Sequence, residues 1–121
     1  MRVVHHPGGP GDDAAETLAT DVEVADTPLA KARGLMLRRL PANGALVFPF
    51  DRVRSRTVHT LLVPAPIDVV WAVDDEVVRV ETLRARLDLA RATADRLVEL
   101  PGGAAAAVEP GDTVETGVTV D

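Results

Sequence analysis

Cysteine is missing from this chain of 121 residues, as is tyrosine, while tryptophan occurs once and phenylalanine twice. Without cysteine there is no disulfide framework and no thiolate nucleophile or thiolate metal site. Serine occurs only at Ser55, inside Arg-Ser-Arg, with none of the small residues that expose a hydrolase serine on a tight elbow. The segments Pro-Gly-Gly-Pro and Pro-Gly-Gly lack the Lys-Ser/Thr of a phosphate loop. No run reaches the ~18 apolar residues of a membrane span, and MRVVHHPGGPGDD has no apolar signal region. The expected setting is therefore the cytoplasm, with no membrane partner and no cofactor.

Basic residues are also in deficit. Thirteen Lys and Arg face 19 Asp and Glu, a net charge of -6. That balance argues against general nucleic-acid binding, which needs a basic surface to neutralise phosphates. Arg52, Arg54 and Arg56 alternate, so on a strand they share one face, as a solvated edge or a local basic ridge. Lys31 is the only lysine. A carboxylate-rich, lysine-poor surface stays hydrated in concentrated salt, a composition expected of a halophilic archaeon.

What is present is short, dense apolar patterning on a chain long enough for one domain. Residues 1–15 hold a short apolar start and then Gly and Pro, an edge strand or loop arm ahead of a single domain over 16–121. Residues 16–26 alternate as one strand. Thr27 and Pro28 then suit an N-cap and a first helical position, predicting a helix over about 27–38 with Gly34 inside it. Strands are expected over 45–50, 56–63, 67–73, 76–83, 96–100 and in the alternating end of 109–120. Asp74-Asp75 forms the tight turn of a hairpin. Residues 84–95 fit either a helix or a loop, and 101–108 fit one helical turn. The fold class is α+β, mainly β: a small curled sheet or barrel of short strands with one capped helix.

Four pieces in order, ADTPLAKARGLMLRRL, ALVFPF, PIDVVWAVDDEVV and LVELPGG…VEPGDTV, resemble the DUF192 family, also called UPF0127, over roughly residues 20–115. Members of that family typically carry R-x-x-G-L-M-x-R; here Gly34-Leu35-Met36 and Arg38 match, with Arg33 adjacent to the glycine. The family's F-W-M-K-N-T is replaced by Val58-His59-Thr60-Leu61-Leu62-Val63, whereas Pro66-Ile67-Asp68 is kept. The resemblance implies a small β-rich domain and assigns no biochemical role.

Three residues stand out as candidates for a site. Asp68 opens a strand, as a general base, an anchor for a ligand hydroxyl, or a carboxylate held by backbone N–H groups or by Arg33 or Arg38. His59 is a proton carrier, a metal ligand or a hydrogen-bonded core histidine. His5 and His6 are sequence neighbours that would point apart on a strand, and no spacing matches a zinc signature, so no metal is expected. Trp71 alternates with Ile67, Val69 and Val73, the pattern of core packing. Without a catalytic set, the leading reading is a non-enzymatic binding module for a small polar ligand or a protein segment, centred on Arg33, His59 and Asp68. The alternatives are an enzyme using Asp68 and His59 as acid and base, and a structural subunit of a larger assembly. Partner, ligand and oligomeric state are not set by the sequence.

Overall fold

The computed structural model describes residues 1–9 and 14–118. In chain order its elements are β1 (Val3–His6), β2 (Glu16–Ala19), β3 (Asp21–Val24), α1 (Pro28–Arg33), β4 (Gly44–His59), β5 (Ile67–Val73), β6 (Glu76–Leu83), β7 (Leu89–Pro101) and β8 (Thr113–Glu115). The strands form one eight-stranded sheet in the order β2-β1-β8-β6-β5-β7-β4-β3. All the ladders are antiparallel except β3 against β4. The edge strands β2 and β3 are separated by Thr20 alone, so the sheet must curl until its edges approach each other. Among the described residues no ladder joins them, and the sheet is curled rather than closed. The α+β, mainly β class follows as expected.

Alternation along the strands sends side chains to two cores. One cluster draws on every strand, including Val3, Val47, Val70, Val77, Val98 and Val114, which makes it the concave side. The other lies on the opposite face, where Leu46, Phe48, Val69, Trp71 and Leu97 are covered by Leu35 and by the far half of the β4/β7 ribbon. That ribbon breaks register between Pro49 and Arg54, where a residue without an N–H is tolerated, and resumes from Arg54 to His59. Past the break it folds over Trp71, which is fully buried and donates its indole N–H to the Arg56 carbonyl at 2.9 Å. Ala90 and Ala94 on the ribbon belong to the same core, and side chains this small let the ribbon come close to the indole.

Several boundaries differ from the sequence reading. The helix ends at Arg33, not near 38, because Gly34 adopts φ 50°, ψ -127°, a conformation that suits glycine and stops the helix. Thr27 does cap it, accepting from the Ala30 N–H at 3.1 Å. Residues 16–26 are two strands split at Thr20, and β1 is no edge, since it pairs with both β2 and β8. Segments 45–50 and 56–59 are one strand, and residues 89–95, expected as helix or loop, are the first half of β7. Residues 10–13 of the expected loop and 119–121 of the expected last strand lie outside the described residues.

Candidate functional site

The end of α1, the first half of β4, the folded-over ribbon and β7 enclose a cleft of about 390 Å³. Each element contributes a different chemistry. The last turn of α1 supplies Lys31 and Arg33. The strand β4 supplies both phenylalanines of the chain, Phe48 and Phe50, and further on Arg56 and His59. Leu97 and Glu99 come from β7, on the face opposite Val98 and Leu100.

Glu99 is the chemically unusual member. It is only 5% exposed, and its Oε1 has no hydrogen-bond partner among the described residues. A Cβ built on Gly34 would stand 3.7 Å from that oxygen, so the bare backbone of the helix end lies over the carboxyl. Burial pushes the Glu99 carboxyl up to about 8, against the opposing pull of the Arg38 charge. At neutral pH it is therefore mostly a carboxylic acid, able both to donate and to accept. Arg38 is committed elsewhere: it forms a two-pronged pair with Glu23 at 2.9 and 2.6 Å. Its hydrogen bond holds Glu23 below the usual carboxylate range.

The cleft is also lined by cations. The Lys31 ammonium lies 4.6 Å from the Phe50 ring centre, and the Arg56 guanidinium 3.7 Å from it. Arg56 also donates to the carbonyls of Arg52 and Ala94 at 2.7 and 3.3 Å, so this end of the arginine ridge is folded inward. Burial, followed by the nearby charge of Arg54, lowers its pKa. Arginine nonetheless stays charged at physiological pH.

Of the three sequence candidates, Arg33 and His59 line this cleft and Asp68 does not. His59 is exposed rather than core, its Nδ1 accepting from the Leu61 N–H at 3.2 Å. Asp68 is buried on the other face of β5, where its two oxygens accept from the Thr82 hydroxyl at 2.7 Å and the Ala105 N–H at 2.8 Å. It pairs with neither Arg33 nor Arg38. A hairpin-like meeting of Asp68 and His59 does not occur, because β7 lies between β5 and β4.

A second buried polar group joins His5, fully buried, to Asp112 at 2.8 Å, with the Gly8 and Glu109 N–H groups also on that carboxylate. Burial raises the Asp112 pKa, but these three hydrogen bonds together outweigh it and leave the group below its ordinary value. The cluster ties β1 to the turn before β8. Among the described residues no three His, Asp or Glu side chains gather as a metal site, and no helix is long and apolar enough to cross a membrane.

Sequence reasoning missed Glu99, Arg56 and the phenylalanines as a group. The available signal was Leu97-Val98-Glu99-Leu100: a run apolar at both parities belongs to a strand buried on both faces, so its single Glu must be buried.

The fold and cleft define a curled, mainly β domain with one short helix laid across its outer face. The chain belongs to the DUF192 family, whose model, described as "Uncharacterized ACR", matches residues 12–116. Two solved structures share the fold. A protein of Sinorhizobium meliloti 1021 named as a candidate transcription regulator has a TM-score of 0.78 at 20% identity, over 94% of this chain and 92% of that one. A protein of unknown function from Novosphingobium aromaticivorans DSM 12444 has a TM-score of 0.79 at 22% identity, over 96% and 84%. No curated protein matches the sequence.

Proposed function

We propose that this domain is a non-enzymatic binding module whose cleft between α1, β4 and β7 takes a small polar ligand. The observation that carries the reading is the free Oε1 of buried Glu99 at the cleft. A buried oxygen without a partner costs about 1–3 kcal/mol, and a ligand hydrogen bond would recover part of that. Apolar walls with a few convergent polar groups are the usual make-up of a small-molecule site. Asp68 lies outside this site, bonded to Thr82 and Ala105, while Arg33 and His59 are among the residues that line it. The regulator name of one structural neighbour concerns that protein, and a net charge of -6 gives no reason to extend it here.

The test is a screen of small polar fragments, anionic, neutral and cationic, followed by amide NMR. Saturable shifts should centre on residues 31–36, Phe48, Phe50, 55–59 and Glu99. Fragments that saturate only elsewhere, or none that saturates at all, would overturn the reading.

A further inference from the structure

The same cleft gathers cations. Among the described residues Arg38, Arg79, Arg84 and Arg96 are paired with carboxylates, none of them at this opening. Lys31 and Arg33 have no carboxylate within ion-pair distance among the described residues, and Lys31 rests on the Phe50 ring instead. The chain's sole lysine, an unpaired arginine and the inward-folded Arg56 thus meet around one opening. The same cleft is lined by Phe48, Phe50, Val58, Val63 and Leu97 and by Glu99, whose buried Oε1 has no partner among the described residues.

Each kind of group selects a part of the occupant. Unpaired cations beside a low-dielectric wall attract an anion more strongly than cations in open solvent do. Phenylalanine faces favour a flat or aliphatic body. A carboxyl in its acid form offers a hydrogen bond to a neutral polar group without repelling an anion bound nearby.

Deepening the binding reading above, on which this rests, we infer that the ligand is a small organic acid bound as its anion. Its carboxylate meets Lys31, Arg33 and Arg56, its apolar body lies along Phe48, Val58 and Leu97, and a neutral hydroxyl or carbonyl at its far end reaches Glu99.

Three probes that share one ring and one hydroxyl separate charge from shape: 4-hydroxyphenylacetate, 4-hydroxyphenylacetamide and tyramine. Calorimetry at neutral pH should show the acid binding about tenfold or more tighter than the amide, the size of a charge-assisted contact, with tyramine weakest. A variant carrying both Lys31→Ala and Arg33→Ala, at half-exposed and exposed positions, should weaken the acid severalfold more than the amide, Arg56 keeping part of the acid's advantage. An equal loss for both would overturn the anion assignment. If the amide or tyramine binds in the cleft as tightly as the acid, the anion assignment falls while the binding reading stands. If none of the three binds, the fragment screen decides: hits without an anionic group overturn the assignment, anionic hits sustain it, and a screen with no cleft hit overturns both readings.

Discussion

The backbone of Gly34 lies over the side chain of Glu99, with a built Cβ only 3.7 Å from Oε1 and 3.6 Å from the Phe48 ring. One residue thereby ends the helix and covers the buried carboxyl, which links the local chain geometry to the cleft. These are ordinary contact distances, so the cost of a side chain here is conformational. At φ 50° a substitution to alanine is strained. Gly34→Ala should therefore destabilise the domain by about 1–3 kcal/mol, read as a lower midpoint in urea, and should weaken fragment binding in the cleft. Unchanged stability would mean that the helix end is free to rearrange.

Glu99 should make stability fall as pH rises. The folded carboxyl sits near 8 and an ordinary one near 4.5, so the folded state holds a proton that the unfolded chain has released. The stability this contributes is full below the unfolded value and is lost as pH climbs through the folded one, at up to about 1.4 kcal/mol per pH unit. Glu99→Gln keeps the shape and removes the proton, so its urea midpoint should lose this slope between about pH 5 and pH 8. A wild type and a variant with parallel profiles would contradict a raised pKa.

The Asp68 carboxylate is a structural clasp between β5, Thr82 and the 101–108 turn. An asparagine can turn its oxygen to the Ala105 N–H and its amide to the Thr82 oxygen. Asp68→Asn should thus cost under about 1 kcal/mol, whereas Asp68→Ala leaves a buried N–H unpaired and should cost about 2–4 kcal/mol. Hydrogen exchange at Ala105 should accelerate only in the alanine variant. Equal losses in both would show that the negative charge itself matters.

Trp71 pins the folded ribbon through the Arg56 carbonyl. Trp71→Phe should cost about 2–4 kcal/mol from the lost bond and the cavity, and should raise amide exchange in 54–59 and 89–94 more than elsewhere. Uniform acceleration across the sheet would argue that the ribbon is not a separate layer.

The parts of the fold legible in the sequence were those whose determinants are local. Ile67–Val73 and Glu76–Leu83 are apolar-rich runs flanking Asp74 and Asp75, both at positive φ, and the hairpin's strand bounds were readable to the residue. Residues 89–95 were not, because Ala90, Ala92 and Ala94 are good helix formers, and only the bulk of distant Trp71 makes small side chains right for a strand. His59 was singled out as a polar residue among apolar ones and Arg33 through the family motif, and both line the cleft. Pairing His59 with Asp68 failed because strand order is a long-range property, and β7, inserted between their strands, comes later in the chain. Glu99 was not singled out, being one residue of a strand expected over 96–100. Its burial depends on a helix more than sixty residues earlier.

The central claim, an uncharged buried carboxyl waiting in a ligand cleft, is tested most directly by following the carbon-13 signal of the Glu99 carboxyl through a pH titration, with and without 4-hydroxyphenylacetate. The account predicts a midpoint near 8 in the free protein, moving higher when the anion binds above it. A midpoint near the ordinary 4.5, indifferent to the acid, would contradict it.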